Sequence, residues 1–411
     1  VSETIFLDQF VDPGSAQVLL STGADGTQEA RFDLAAMPRL EPMLVGRDAR
    51  DVPDLVKRLC GICPIPHHIA GVMALESAAG LRPSPLTVEV RRLLVWTSYI
   101  TTFSPRFVLN HREEVLAARA IAKRAATWAG CPGHFPNVAA PGGLVNPIDR
   151  DPASLAELSA IAEEAGALQS RWQDTAQQLS ADADVLGSAG DGRWAEMMLV
   201  NAEHTIDPLG DHVQVCPPDG TTQAFPVASW PDRVTESHPG AVAPRMVVHT
   251  DKGALAYKTG PQSRHTANNP RQAQAMSILA ALQGIAASAR AIATQLACDD
   301  QVDCSAQPLP DQQDFSGVGV GVVDSPRGLL AHVFVVDKGR LANCAIHTPT
   351  AQNEWWLSSL LTTALREHAG DMAAVEQAIR AADPCVPATD TPVGTMPIST
   401  VVSPISDARD E

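Results

Sequence analysis

The sequence predicts an α+β protein with a helical core and β structure at its edges, and three observations carry that prediction. Stretches poor in Gly and Pro recur at 87–129, 152–183 and 270–298, and they read as long helices. Runs rich in Val and Gly between 317 and 347, GVGVGVV and AHVFVV, read as strands. No internal repeat or low-complexity linker divides the 411 residues, so they are read as a single domain, 1–411.

Taken in order, 1–45 alternates loosely around Pro13, Gly23 and Gly26 and forms a β-rich N-terminal part. Residues 46–186 are helical, interrupted by the Gly/Pro-rich loop AGCPGHFPNVAAPGGLVNP. Turn residues become frequent at 187–269, where a β/loop insertion is expected. Helices and strands alternate over 270–382, and the proline-rich 383–411 is a tail of loop and short strand.

Composition narrows the function. The net charge is −17, from 30 Lys+Arg against 47 Asp+Glu, which leaves no cationic surplus to neutralise phosphates and argues against nucleic acid. With 45% apolar residues the chain has ample material for a core. The start, VSETIFLDQFVDPGS, shows no secretory signal, and the apolar stretch 277–297 is interrupted by Gln283, Arg290 and Gln295. A cytoplasmic protein without membrane insertion is expected. Eight cysteines are too sparse for a disulfide framework, so a close pair points to metal or redox chemistry.

That pair is Cys60 and Cys63 in Arg58-Leu-Cys60-Gly-Ile-Cys63, followed by His67 and His68. Thiols at this spacing can grip one soft metal, and both Arg58 and a helix N-terminus would favour the thiolate. Zinc, dithiol redox chemistry and two buried cysteines remain alternatives, but no second C-x-x-C completes a zinc site. A partner must come from far away, and Asp383-Pro384-Cys385 is the candidate. Arg327, in Asp324-Ser-Pro326-Arg327-Gly328, lies on a Pro/Gly-bounded loop suited to an anion or to an ordinary turn, and His332 reads as a core histidine. Cys131, Cys216, Cys298, Cys304 and Cys344 read as buried or incidental, and Glu113, Glu114, Glu163 and Glu164 as solvated helix faces.

The ordered set of Glu41, R-x-C-G-x-C-x-x-x-H, D-S-P-R-G-x-L-x-H and D-P-C resembles the large subunit of nickel–iron hydrogenases. His134 with Pro141-Gly142-Gly143, Tyr257 through Arg264 and Pro349 through Asn353 extend the resemblance over most of the chain. It implies that family's fold, with a central helical bundle, and a site of nickel and an iron bearing cyanides and carbon monoxide. By resemblance Cys60 and Cys385 match terminal nickel ligands and Cys63 a bridging thiolate. His67 would hydrogen-bond the bridging sulfur, Arg327 would lie by the cyanides, and Glu41 would stand behind the ligands. Soft thiolates suit these metals, and a guanidinium suits cyanide nitrogens.

The chain departs from the family's D-P-C-x-x-C-x-x-H: Ala388 stands where the second bridging cysteine belongs and Thr391 where the histidine belongs. The R-x-E-G-H element is absent, and Glu41 follows Pro38-Arg39-Leu40 in an altered setting. The pattern resembles hydrogenase accessory proteins of the HupK/HoxV type. That resemblance implies a non-catalytic scaffold holding the iron dicyano-carbonyl group transiently, without nickel. Its partners would be hydrogenase maturation chaperones and a cognate hydrogenase large subunit. The alternatives are a catalytic large subunit in which Thr389 or Asp390 replaces the lost ligand, and a metal-free paralogue of a respiratory complex subunit.

Overall fold

The computed structural model describes residues 16–22, 26, 28–32, 41–58, 61, 63–179, 194–237, 245–298, 303–368, 371–386, 389 and 391–404. Cys60, Ala388 and Asp390 lie outside them, as do 1–15, where part of the N-terminal β region was expected. Helices and strands follow the predicted order. Strands β1 (Ala16–Thr22) and β2 (Gln28–Phe32) precede the short helices α1 (Glu41–Leu44) and α2 (Val52–Val56). The helical part continues with α3 (Pro64–Ala79), α4 (Pro85–Phe103) and α5 (Arg112–Trp128). After the hairpin β3 (Ala139–Ala140) and β4 (Gly143–Leu144) comes α6 (Pro152–Leu179).

The expected β region holds β5 (Ala195–Val200), β6 (His212–Cys216), β7 (Gln223–Pro226), α7 (Trp230–Arg233), β8 (Val234–Glu236), β9 (Met246–Thr250) and β10 (Gly253–Thr259). Helices α8 (Pro261–Arg264) and α9 (Pro270–Cys298) follow, then the meander β11 (Gly317–Ser325), β12 (Gly328–Asp337) and β13 (Arg340–His347). The chain closes with α10 (Pro349–Gln352), α11 (Glu354–Glu367), α12 (Met372–Ala382) and β14 (Ile398–Pro404). Strands β5–β10 form a six-stranded sheet in the order β7-β6-β5-β10-β9-β8, and β14 pairs in parallel with β1.

The central apolar core is helical. It joins α4, α5, α6 and α9 around Leu93, Ile161, Trp172, Leu282 and Ile285, all fully buried. At about 25 cal/mol per Å² of apolar area withdrawn from water, such burial supplies the main stabilisation. Helix α9 has the length and apolarity to cross a bilayer, yet 56% of its most apolar window is buried within the protein. It runs against α4 and α6, with Gly284 admitting the Trp96 ring so closely that a Cβ there would lie 2.3 Å from it.

The meander lies inside rather than at the edge. Side chains alternate across a strand, so β11 turns Val320 and Val322 toward the six-stranded sheet and Gly317, Gly319 and Gly321 toward α3. Cβ atoms on these glycines would lie 2.8, 1.9 and 2.0 Å from the carbonyl oxygens of Ala78, Ala74 and Ala70. Two strand residues advance about 6.7 Å and four helix residues about 6 Å, so the two spacings run nearly in step. The GVGVG string is therefore a helix-docking groove, and it fixes the helix whose first turn carries Cys63.

Candidate functional site

Cys63 is the N-cap of α3, 7% exposed, with Pro64 at the first helical position, where its missing N–H costs nothing. The partial positive charge of the helix N-terminus favours a thiolate there. Arg58 does not assist: it turns along the surface to Asp54, 3.1 Å away. The cation that faces the cysteine is Arg327.

Arg327 occupies the two-residue turn between β11 and β12, where Ser325 pairs with Gly328. The turn is held from behind by Arg264 of α8. Its Nη1 donates to the Tyr99 hydroxyl (2.9 Å), Asp324 Oδ1 (2.5 Å) and the Ser325 carbonyl (2.9 Å), and its Nη2 to the Pro326 carbonyl (2.5 Å). Gly260 leaves room for the turn, since a Cβ there would sit 2.4 Å from the Arg327 carbonyl oxygen. Burial opposes the Arg327 charge, but Asp383, Cys385 and Cys63 together outweigh it and keep the guanidinium firmly protonated. Both cysteines are thus within electrostatic reach of one buried cation.

Cys385 arrives from the other end of the chain. Helix α12 stops at Asp383, whose backbone is left-handed (φ 51°), and Pro384 then prevents the helix from resuming. Asp383 Oδ1 accepts from Arg327 Nη2 at 3.0 Å and also from Arg106, which follows α4. The Cys385 N–H donates to Thr350 Oγ1 at 2.7 Å, so α10 fixes the backbone of the cysteine. Two guanidiniums share one carboxylate, leaving a local excess of one positive charge that two thiolates would more than offset.

His67 Nδ1 and His332 Nε2 are 3.0 Å apart, so one ring must donate and the other accept. His332 is fully buried, and burial followed by the neighbouring His67 holds it well below the usual imidazole range and therefore neutral. The core reading of His332 holds, with His67 as its partner. His68 is also structural: its Nε2 accepts from the Ala139 N–H (3.1 Å), which takes it away from any zinc site. Glu41 begins α1 against β13, where its carbonyl accepts from Cys344 Sγ at 3.7 Å. Among the described residues no hydrogen bond or ion pair joins it to Arg327 or His67.

The structure therefore brings Cys63, Cys385 and Asp383 around Arg327, while His67, one turn along α3 from Cys63, turns its ring to His332. Among the described residues no three His, Cys, Asp or Glu side chains form a group able to hold a metal by themselves, and the third expected thiol, Cys60, lies outside them. Arg106 and Gln274 were not foreseen: each is a single polar residue in a helical region, with no motif around it. Thr350 and Arg264 stood within strings quoted for the resemblance, without a role. A narrow cleft, partly open to solvent and with room for little more than one water molecule, adjoins Arg327, Asp383, Cys385 and Thr350.

Residues 39–107 match the family described as nickel-dependent hydrogenase. The alpha subunit of sulfhydrogenase 2 from Pyrococcus furiosus is 27% identical over 93% of this chain and 97% of its own length. The large chain of the quinone-reactive Ni/Fe-hydrogenase of Wolinella succinogenes is 44% identical over 17% of this chain and 12% of its own. Among solved structures, an NAD+-reducing [NiFe]-hydrogenase in its H2-reduced state superposes with a TM-score of 0.73 at 20% identity, covering 90% of this chain and 95% of that one. The [NiFeSe]-hydrogenase of Dm. baculatum gives 0.59 at 16% identity over 80% and 84%. Over most of its length the chain is similar to a hydrogenase subunit, and it shares the fold of nickel–iron hydrogenase large subunits.

Proposed function

We propose that this chain is a non-catalytic hydrogenase maturation protein, a scaffold for assembling the iron dicyano-carbonyl group or passing it to a hydrogenase large subunit. The observation that carries the reading is Arg327. It is buried, it feels both Cys63 and Cys385, and its Nε and Nη1 have no hydrogen-bond partner among the described residues. Unpaired donors on a buried cation call for acceptors, and cyanide nitrogens beside thiolate-held iron are acceptors of that kind. The residues present thus fit the group: Cys60, Cys63 and Cys385 would hold it and Arg327 would orient it. Such an iron group, when bound, supplies a soft, low-spin centre suited to thiolates.

The fourth position decides between holding and catalysis. Ala388 has no donor atom, so one of the two bridging thiolates of the hydrogenase site is missing, and nickel would lose a ligand it shares with iron. A scaffold needs affinity without permanence, and three thiolates meet that need. The catalytic reading is favoured by the relatives, which bear the names of hydrogenase subunits, but it would require Thr389 or Asp390 to bridge as a hard oxygen ligand. In the described structure Thr389 Oγ1 hydrogen-bonds the carbonyls of Val386 (2.8 Å) and Pro384 (3.2 Å), which commits it to its own turn. A metal-free paralogue would have no use for the retained cysteines and Arg327. On the scaffold reading the protein works in the cytoplasm with hydrogenase maturation chaperones and a cognate large subunit.

Protein purified anaerobically from its native host should carry iron without nickel and show infrared bands of cyanide and carbon monoxide. Cys63→Ala and Cys385→Ala should each lose those bands and impair maturation of the cognate hydrogenase. Hydrogen turnover at an ordinary enzymatic rate of about 1 per second or more, in a preparation free of authentic large subunit, would overturn the reading.

A further inference from the structure

The site as it stands is closed to anything the size of an iron atom carrying cyanides and carbon monoxide. Cys63 and Arg327 are each 7% exposed, and the cleft that reaches Cys385 has room for little more than one water molecule. Loading and release therefore need one side of the site to move. Cys63 is on the rigid side, because α3 lies backbone to backbone in the glycine groove of β11. Cys385 is on the side that can move. It follows the left-handed Asp383 at the end of α12, and hydrogen bonds to Thr350, Arg327 and Arg106 hold it and Asp383 in place.

The chain beyond Cys385 is tied down in two ways. Arg380, in the last turn of α12, grips its backbone: Nη1 donates to the carbonyls of Thr389 (2.9 Å) and Thr391 (2.7 Å), and Nη2 to Thr391 Oγ1 (3.0 Å) and the Pro392 carbonyl (3.0 Å). Arg380 Nε donates in turn to Glu376 Oε1 at 2.7 Å, which also accepts from the Gly394 N–H at 2.8 Å. Met396 then enters the apolar cluster of Val18, Val375 and Ile379, and β14 pairs with β1 from Ile398 against Ala16 to Pro404 against Thr22. The base is firm, since β2 on the far side of β1 is bonded to α11 through Thr362, Ser358 and the Arg31–Glu354 ion pair. The strand laid on it is not: among the described residues β14 pairs with β1 alone, at the edge of the sheet. Each bond from Arg380 to a carbonyl can be exchanged for one to water, so the hold is modest and its release reversible.

We propose that residues 391–404 are a strap whose release from Arg380 and β1 opens the Cys385 side of the site, and which closes again once the iron group has entered or left. The cargo rests on the scaffold reading, whereas the movement belongs to the protein without metal and is tested there. Gln17 and Ser399 are exposed partners on β1 and β14, so Gln17→Cys with Ser399→Cys can lock the strap by a disulfide. N-ethylmaleimide, far larger than a water, should label Cys385 of the metal-free full chain at least about tenfold more slowly in the oxidised double variant than after reduction. Arg380→Met should speed labelling of Cys385 by at least about tenfold and leave the buried Cys304 and Cys344, which lie in other core clusters, unchanged. Equal labelling of Cys385 in the oxidised and reduced double variant overturns the strap, and this comparison decides the matter even if Arg380→Met does not fold. Labelling that follows the strap in a protein that never carries iron supports the strap and sinks the scaffold reading instead.

Discussion

The two cysteines of the site are anchored in different ways. Cys63 is held by shape: α3 lies in a groove of three glycines on β11, backbone against backbone, with little side-chain volume between. Cys385 is held by polar bonds: Arg327 and Arg106 on Asp383, and Thr350 on the Cys385 N–H. Close packing is directionless and tolerates no added atoms, whereas a buried ion pair is worth little net stability but costs much when one partner is removed. One end of the site should therefore break by overpacking and the other by loss of charge.

The largest effect is expected at the polar anchor. Asp383→Ala leaves two guanidiniums facing a buried gap and should destabilise by about 3–5 kcal/mol, read from denaturant unfolding. Because the pair is buried, added salt should not reproduce the loss. At the packed anchor, Gly321→Ala places a Cβ about 2.0 Å from the Ala70 carbonyl oxygen, so α3 must lift from β11. A loss of about 1–3 kcal/mol is expected, and a neutral result would refute the groove as the device that fixes Cys63.

Acid should attack the packed side first. Burial, with Lys57 and Arg91 nearby, holds His68 of α3 at about 4, below its ordinary value of 6.5. Above pH 6.5 the imidazole is neutral in both states, and stability is full. As pH falls from 6.5 toward 4, the unfolded chain takes up a proton that the folded one refuses, and about 2 kcal/mol should be gone by about pH 5. His68→Gln, which keeps an acceptor for the Ala139 N–H, should flatten the unfolding free energy between those pH values by that amount. The smallest effect is at Thr350→Val, which strips the Cys385 N–H of its acceptor. It should cost about 1 kcal/mol and speed hydrogen exchange at that amide, with Gly321 contacts untouched.

The parts of this protein that were legible in sequence are local ones. Helices at 64–79, 85–103, 152–179 and 270–298 follow from composition and periodicity, and the strands of 317–347 from their β-branched runs and two-residue turns. The cysteine pair, the arginine turn and Asp383-Pro384-Cys385 were visible as strings, because a ligand or a tight turn demands particular residues within a few positions. The GVGVG run also stood in plain view as a strand, but its service as a groove for α3 depends on which face meets the helix.

Tertiary structure decided which distant residues meet. Asp383 joins Arg327 across 56 positions and Arg106 across 277, Cys385 meets Thr350 across 35, and Arg264 reaches the turn behind Arg327 across about 60. None of these partners follows from spacing, because a side-chain hydrogen bond depends on where two elements cross and not on the residues beside it. Gln274 shows the limit most clearly. On an Ala-rich helix it reads as an ordinary polar residue, and only the crossing of α9 with α12 buries it, bonds it to the Ala381 carbonyl and sets it on the same cleft as Arg327 and Asp383.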